Sequence, residues 1–343
     1  MRKTVLTIIL VAAAANAFTA LPVLGYSASS GFILGGYMLF PLAPMPSGCQ
    51  LAVDTYYGTA GVIKFQPTLT RAFHSGLLTS ALEYRNVKEK DWFGWGNSTD
   101  SDSSASMDFE KRNFTADFTF PAGKGFFLSG ALDVRQSTVF NREDSPLWDR
   151  LPGEVFNSTW TAGARGRIGW ITRTPLNGDL LLSTEAFFQA GDVSYGGITE
   201  KIRATSEPWS GGEIAVGATI HRQFNIKNTP IPYASGIGQN NNFRGYSDYR
   251  FTGPVWTLFQ MEVKNDVLNL RDSDGNPVLT VAVAVFAEAG EVAESSGDLT
   301  AEGLHTDFGF GFRLGVQSDA EMRADAAWGD EGMMIQTGFD RAF

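Results

Sequence analysis

The sequence has little cysteine, histidine or positive charge, and each shortage argues against a class of protein. Cys49 is the single cysteine of the 343 residues, so no disulfide can form within the chain. After residue 17 no apolar run approaches the roughly 20 residues that a helix needs to cross a bilayer, which argues against a helical membrane protein. Basic residues number 27 against 37 acidic ones, and the formal net charge of -10 disfavours a nucleic-acid partner.

The first residues have the pattern of a secretory signal peptide. Residues 1–3 are basic at positions 2 and 3, residues 4–14 are apolar, and Ala15-Asn16-Ala17 has the small-x-small form of a cleavage site. The sequence therefore predicts a signal peptide over residues 1–17 and an exported chain that begins near Phe18.

Glycine and aromatic residues are abundant, and apolar residues recur with a period of two. The chain holds 38 Gly and 26 Phe, and its mean hydropathy is -0.09. Strict alternation of apolar and polar residues indicates strands with two different faces. It occurs in residues 114–120, 126–136, 179–190 and 211–225. Within the second of these segments, Leu132 and Val134 oppose Asp133 and Arg135.

The alternating segments have about ten residues, the length that a tilted strand needs to cross a membrane. A soluble β-sandwich also alternates, but its strands average about five or six residues. In lipid every backbone N–H and C=O must be paired within the protein, so such strands must close into a barrel. The sequence thus predicts an all-β fold, a single transmembrane antiparallel β-barrel over residues 18–343 in the bacterial outer membrane. A sandwich is the less favoured alternative.

The spacing of turns predicts about sixteen strands, an even number as in single-chain bacterial barrels. Short links, expected at the periplasmic side, fall at 72–76, 121–124, 173–178, 225–229 and 318–320. Long links, expected at the extracellular side, fall at 88–106, 137–155, 191–210, 238–254 and 290–304. One further segment, 266–277, is long for the periplasmic side to which the alternation assigns it.

A polar stretch punctuated by glycine, residues 239–253, interrupts the alternation. At its centre stand Phe243, Arg244, Gly245 and Tyr246. An arginine between an aromatic residue and a glycine is typical of a loop that places one fixed charge at a specific point. A solvated loop that merely contains these residues is the alternative.

Three strand motifs follow this stretch. Residues 285–290 include Phe286, Glu288 and Gly290. Gly309, Gly311 and Arg313 alternate in the next motif, and residues 323–325 read Arg-Ala-Asp. In this order the four elements resemble those of the bacterial surface antigen superfamily, the family of BamA and TamA. Residues 243–246 resemble the arginine-glycine-aromatic signature of its sixth extracellular loop, which folds back into the barrel.

The resemblance also shows departures and additions. Residues 285–290 are similar to the family's Phe-x-Asp-x-Gly strand motif, with Glu288 where Asp is usual. Upstream, residues 92–97 resemble an aromatic-Gly-x-Gly-Asn element of stand-alone members. The resemblance implies a barrel without periplasmic polypeptide-transport-associated (POTRA) domains, acting in the insertion or transport of protein or lipid at the outer membrane.

The resemblance implies a pin inside the lumen. A guanidinium shielded from water needs a carboxylate partner, so Arg244 is expected to pair with Glu288. Phe243 and Tyr246 are expected to wedge the loop against the barrel wall. Such a pin would hold the loop in the lumen and block a free pore.

The two ends of the barrel carry further expectations. Gly338, Phe339 and Phe343 resemble the C-terminal signal by which barrels are recognised for assembly, although Arg341 stands where an apolar residue is usual. The first strands carry Gly25, Gly31, Gly35 and Gly36. These glycines either loosen a seam between the first and last strands, as the resemblance implies, or ease the curvature of the barrel.

Expected partners are outer-membrane lipid, client proteins and a periplasmic protein that supplies the missing soluble domains; pairing of two barrels stays open. No cofactor, metal or catalytic residue is predicted. A passive pore or structural barrel is the main alternative function, because a fold does not fix a function. A barrel lipid hydrolase is less favoured, because no motif places a serine beside His74, His221 or His305.

Overall fold

Long strands make up most of the chain. The computed structural model describes residues 19–27, 31–41, 49–97, 99, 104–140, 142, 144–148, 156–174, 177–238, 243–271, 273, 277–316 and 320–339. The predicted signal peptide over residues 1–17 and Phe343 lie outside these ranges. No helix in the described ranges is long and apolar enough to cross a bilayer.

The strands follow one another around a single antiparallel sheet. The first eleven are β1 (Thr19–Ser27), β2 (Gly31–Pro41), β3 (Cys49–Gly58), β4 (Val62–Phe73), β5 (Gly76–Trp92), β6 (Ala105–Gly123), β7 (Phe126–Phe140), β8 (Thr159–Arg173), β9 (Asp179–Gly191), β10 (Tyr195–Trp209) and β11 (Gly212–Phe224). Then come β12 (Gly236–Ile237), β13 (Phe251–Thr252), β14 (Val255–Arg271), β15 (Pro277–Ala293), β16 (His305–Val316), β17 (Ala320–Gly329) and β18 (Gly332–Phe339). The sheet has 16 strands in the order β1–β11 and β14–β18, while β12 and β13 pair only with each other. The predicted count is confirmed.

The sheet curves until its two edges meet. β1 lies beside β18, which closes the barrel. Every other pair of neighbours in the sheet has an antiparallel register, unbroken between β1 and β2 or β17 and β18 and interrupted by β-bulges in pairs such as β5 and β6. Among the described residues no such register joins β1 to β18. The closing seam is therefore the one junction of the described sheet without a ladder of paired residues.

The faces of the strands are inverted relative to a water-soluble sheet. On β7 the apolar Leu132 is 65% exposed, whereas its neighbour Asp133 is 2% exposed. On β9 Phe188 is 58% exposed and Gln189 is fully buried. Apolar side chains point outward and polar ones inward, as expected where the outside meets lipid and the inside meets polar groups. A soluble sandwich would bury the apolar face instead, so that alternative is wrong.

Two of the predicted links are wrong. Residues 191–210 were expected to form a long loop, but β10 occupies most of this segment. The outward face of β10 carries Gly196, Glu200 and Ala204 beside two isoleucines, so the contrast between its faces is weak.

The other error concerns residues 225–229, which were expected to form a tight turn before another barrel strand. The chain instead forms two 3-10 helices, Ile226–Asn228 and Ile231–Tyr233, and returns to the sheet only at Val255. Pro230 and Pro232 lack the N–H groups that a central strand needs. One strand was thus missed and one was wrongly assigned, so the total stays the same.

The longest links all lie at one rim, which also carries short links such as 59–61 and 192–194. The end of the barrel that we call the loop rim carries residues 93–104, 141–158, 225–254 and 294–304. The opposite end, the short-turn rim, holds the chain ends of the sheet and connections such as 272–276. The apparent exception at 266–277 disappears because β14 continues to Arg271. Residues 225–254 form the sixth link of the loop rim.

Candidate functional site

The sixth link, residues 225–254, folds into the barrel and is called the luminal loop below; residues 239–242 of it are not described. Its inner part carries its own apolar cluster. The rings of Phe243 and Tyr246 lie 4.6 Å apart, and those of Tyr246 and Phe251 lie 5.1 Å apart. All three are buried against Trp256, Leu258 and Val292 of the wall. Apolar packing therefore holds the loop on the β14–β15 side of the lumen.

Arg244 projects from this cluster into a cage of carboxylates. Its Nε and Nη2 each lie 2.9 Å from Oε1 of Glu288, and its backbone N–H donates to Oε2 of the same carboxylate at 2.7 Å. Both side chains are fully buried. Burial lowers the pKa of Arg244, but Glu288, Asp325 and Glu262 outweigh burial and raise that pKa above its ordinary value. The guanidinium therefore stays charged inside the protein.

Further charges continue the cage along the wall. Nη1 of Arg244 donates to Glu262 at 2.7 Å, and Arg313 donates to the same carboxylate at 2.6 Å. Arg313 also donates to Asp325 at 2.6 Å, and Arg323 approaches Asp325 at 3.3 Å. Three guanidiniums thus face three carboxylates, counting Glu288. Because the opposite charges are mutually hydrogen-bonded, the network offsets much of the cost of burying them.

Two motif glycines make room for this network. The guanidinium of Arg244 lies 3.3 Å from the ring centroid of Phe286. A Cβ atom at Gly309 would lie 2.5 Å from that ring, and one at Gly311 would lie 2.0 Å from Oδ1 of Asp325. These are close approaches that only glycine permits.

A third motif glycine serves the apolar cluster. A Cβ atom at Gly290 would lie 2.8 Å from Cδ1 of Ile237, which belongs to the luminal loop. Gly245 in the loop has the same property, since its Cβ would lie 2.5 Å from Cβ of Asp307. The side chain of Ile237 therefore packs directly against the backbone of β15 at Gly290, and the loop backbone at Gly245 packs directly against Asp307 of β16.

Backbone groups of the loop are held by the last strands. The N–H of Gly245 donates to the carboxylate of Asp307 on β16. Gln336 on β18 donates from Nε2 to the carbonyl oxygen of Arg244 at 2.7 Å. The hydroxyl of Tyr246 donates to the carbonyl of Thr306 at 3.1 Å. Asp307 and Gln336 were not predicted, although strand alternation alone places both on the lumen face.

The opposite part of the loop reaches the far wall. The hydroxyl of Tyr233 donates to Oδ1 of Asn113 on β6 and to the carbonyl of Gln136 on β7, the latter at 3.1 Å. Asp248 forms a buried ion pair with Lys90 on β5 at 2.6 Å. The loop therefore crosses the lumen from β5–β7 to β14–β18.

The element at residues 92–97 covers the luminal loop at the loop rim. Trp92 stacks on Trp148 with ring centroids 5.2 Å apart. The N–H of Gly96 donates to the carbonyl of Thr252 at 2.8 Å, and Oδ1 of Asn97 accepts from the backbone N–H of Val292 at 3.0 Å. This element thus joins the luminal loop to β15.

The two histidines that face the lumen serve as packing groups. His221 shares a hydrogen bond of 2.8 Å with Thr199 and stacks on Trp256 at 5.3 Å. His305 stacks on Phe251 at 3.9 Å. Among the described residues, no group of three or more His, Cys, Asp or Glu side chains could hold a metal ion.

The expected assembly signal lies at the end of the sheet. β18 ends at Phe339, so the backbones of Gly338 and Phe339 belong to the last strand. Phe343 lies outside the described residues, and the signal stays a prediction.

Comparison of the sequence with models of known protein families and with curated proteins finds no match. Among solved structures, the fold is similar to BamA from Haemophilus ducreyi lacking POTRA domains 1-3, with a TM-score of 0.59 and 12% identity over 98% of this chain and 75% of that chain. CdiB from Escherichia coli is similar with a TM-score of 0.69 and 10% identity, over 98% and 67% of the two chains. CdiB from Acinetobacter baumannii gives 0.62 and 11%, over 97% and 64%. At these identities the likeness concerns the fold.

Proposed function

We propose that the chain is an outer-membrane barrel of the bacterial surface antigen type that acts in the insertion or transport of protein or lipid, with its lumen closed at rest by the luminal loop. The observation that carries this proposal is the cage around Arg244. A loop that only decorated a porin would not need a fully buried guanidinium bonded to two carboxylates.

The loop is suited to close the lumen because it is fixed at both walls. Arg244 ties it to β14 and β15, while Tyr233 and Asp248 tie it to β5–β7. Ion conduction through such a barrel would require the loop to leave, and that would deprive the buried carboxylate of Glu288 of its cation. A closed resting lumen agrees with a transporter or insertase and disagrees with a constitutive pore.

The seam between β1 and β18 is the proposed exit toward lipid. Because the described residues of this seam have no paired register, we infer that its two edges can pair with another chain. Glycines weaken the first hairpin, where Gly25 faces Ile33 and Gly35 faces Val23. The alternative role of these glycines is curvature, and the two roles differ in whether crosslinking the seam abolishes activity.

Localisation and partners belong to the same proposal. Residues 1–17 would direct export, and Gly338, Phe339 and Phe343 would direct assembly into the outer membrane, with the loop rim outside the cell. Lipid, client proteins and a periplasmic partner with soluble domains are the proposed contacts, and pairing of two barrels is compatible with the exposed outer face. A passive pore is the second candidate.

Single-channel conductance in planar bilayers tests the proposal. The parent chain is expected to be nearly closed, and Arg244→Ala is expected to open, because the variant removes the pin of the loop. Arg112→Ala is the matched control, since that guanidinium is 58% exposed and pairs with Glu110 away from the loop. A large, steady conductance of the parent that Arg244→Ala leaves unchanged would establish the passive pore instead.

A further inference from the structure

The lumen wall formed by β7–β10 carries an excess of positive charge. Strand alternation and burial place five cations and two carboxylates on the inner face between the rims. They are Arg135, Arg165, Arg167, Lys201 and Arg203, with Asp133 and Glu185. This wall lies outside the cage of Arg244.

The two carboxylates lie within ion-pair distance of two of the five cations, Arg135 and Arg165. Asp133 lies 3.6 Å from Arg135 and 3.8 Å from Arg165. Glu185 lies 3.9 Å from Arg165. In the described part of the chain, neither Arg167 nor Lys201 has a carboxylate oxygen within the 4.0 Å of an ion pair. These two cations are the uncompensated ones.

Register brings Arg167 and Lys201 to adjacent rungs on either side of β9. In the backbone register, Arg167 on β8 stands opposite Glu185 on β9. Lys201 on β10 stands opposite Ser183, which lies two residues from Glu185 on the same face of β9. Two strand spacings separate the backbones by about 10 Å, a gap that two long side chains can close around one small anion. The hydroxyl of Ser183 lies between them on the lumen face.

Arg167 is also oriented by its neighbour on β7. Its guanidinium carbon lies 5.4 Å from the ring centroid of Phe127. That ring covers Gly169, where a Cβ atom would lie 2.2 Å from it. The Nε atom of Arg167 is buried and has no hydrogen-bond partner among the described residues. Arg165 on the same wall has the same property, so Arg167 offers a donor that a ligand could use and is not distinguished by it.

Lys201 and Arg203 alternate with Ile202 on β10, so both point to the lumen, and Arg167 lies two strands away on the same wall. Two cations held near each other without a carboxylate in ion-pair contact cost free energy in the empty protein, and a bound anion lowers that cost. We propose that Arg167 and Lys201, with Ser183 between them, bind a phosphate group inside the lumen. A phosphate dianion carries two negative charges, which match the two cations. Its oxygens can accept hydrogen bonds from the guanidinium of Arg167, the ammonium of Lys201 and the hydroxyl of Ser183.

Phosphate could reach the site as the free ion or as the headgroup of a lipid monoester. The direct test is 31P NMR of inorganic phosphate titrated with the full chain in a maltoside detergent, at constant ionic strength set with chloride. The parent is expected to broaden the phosphate signal saturably. Arg167→Gln combined with Lys201→Gln is expected to weaken binding by about tenfold or more, since two charge-assisted contacts are lost.

Lys88→Gln combined with Lys227→Gln is the matched control, because it removes the same charge from two exposed lysines. The control is expected to bind as the parent does. Heat-modifiable electrophoretic mobility verifies that each variant is folded, and Lys201→Gln alone replaces the double variant should that one fail to fold. Broadening that does not saturate in the parent, or that is equal in the parent and the site variant, overturns the proposal.

Short-chain phosphatidic acid distinguishes the two sources. Tighter binding of this lipid than of inorganic phosphate, with competition between them, assigns the site to a lipid headgroup. Binding of inorganic phosphate alone assigns it to the free ion. The test measures binding and not conduction, so its failure would leave the conductance experiment on Arg244 unaffected.

Discussion

The guanidinium of Arg244 lies 3.3 Å from the ring centroid of Phe286, two residues before Glu288 on the same strand. β15 therefore contacts the guanidinium in two ways: Phe286 stacks on its planar face, and Glu288 bonds to its N–H edge. Such an arrangement uses the planarity of a guanidinium, which binds a carboxylate in its plane while stacking on an aromatic ring. A point charge cannot satisfy both contacts.

Arg244→Lys is expected to destabilise the barrel although it keeps the charge. The ammonium cannot bond Glu288 and Glu262 while stacking on Phe286, so we expect a loss of about 1.5–3 kcal/mol in the free energy of unfolding. Urea unfolding followed by tryptophan fluorescence measures the loss. Arg112→Lys, at the exposed pair with Glu110, should change stability by less than about 1 kcal/mol. Equal losses in the two variants would contradict the role of the planar group.

Arg244 and Glu288 are expected to be energetically coupled. Removing either one alone leaves a buried charge of the other and costs about 3–5 kcal/mol. The double variant Arg244→Ala/Glu288→Ala should cost less than the sum of the single variants, by about 0.5–3 kcal/mol. A double-mutant cycle by urea unfolding provides the coupling energy.

The matched cycle uses Arg112 and Glu110, an ion pair in which the Arg112 side chain is 58% exposed. Its coupling should be below about 1 kcal/mol, because solvent screens the pair. Strict additivity of the Arg244 and Glu288 losses would show that the two side chains do not depend on each other.

Gly311→Ala is expected to disturb the cage. The added Cβ would lie 2.0 Å from Oδ1 of Asp325 and 2.8 Å from Nη1 of Arg313, so one of these groups must move, at a cost of about 1–3 kcal/mol. Gly166→Ala is the control, since a Cβ there meets no atom within 4 Å. Heat-modifiable mobility as a function of temperature compares the two variants. A loss at both positions would point to strand glycine content rather than to the cage.

Leu132→Arg tests whether the outer face meets hydrocarbon. Leu132 is 65% exposed near the middle of β7, where an arginine on the lipid face costs about 2–4 kcal/mol. Phe126 lies on the same face at the first residue of the strand, where the cost of Phe126→Arg falls to about 0–1 kcal/mol. Unfolding of both variants in lipid vesicles measures the difference. Equal small costs would place β7 outside the hydrocarbon layer.

Most of the barrel could be predicted because its physics is local. In lipid the two faces of a strand have opposite requirements, so β7 and β9 show their period in the sequence alone. β10 escaped because Gly196 and Glu200 lie on its outward face and blur that period. The segment after Asn225 was mistaken for a strand because the alternation of short and long links only assigns each link to one rim. It cannot distinguish a barrel strand from a loop segment that folds into the lumen.

The site could be predicted only in part. The approach of Arg244 to Glu288 was expected from two motifs, and the structure brings them to 2.9 Å. Asp307 and Gln336 were missed because their contacts depend on which rungs of β16 and β18 face the loop. That register follows from strand tilt and closure of the whole barrel, which no local pattern encodes.

The position of Gln336 gives the barrel an order of events. Arg244 precedes in the chain all the strands that bond to it, and the last of these bonds comes from Gln336 on β18. A sheet paired only as far as β16 offers Glu288 and Asp307 but neither Asp325 nor Gln336. Arg244 can therefore form all of its hydrogen bonds only after β17 and β18 have paired with the sheet. A filled cage is in this sense a sign that assembly has finished.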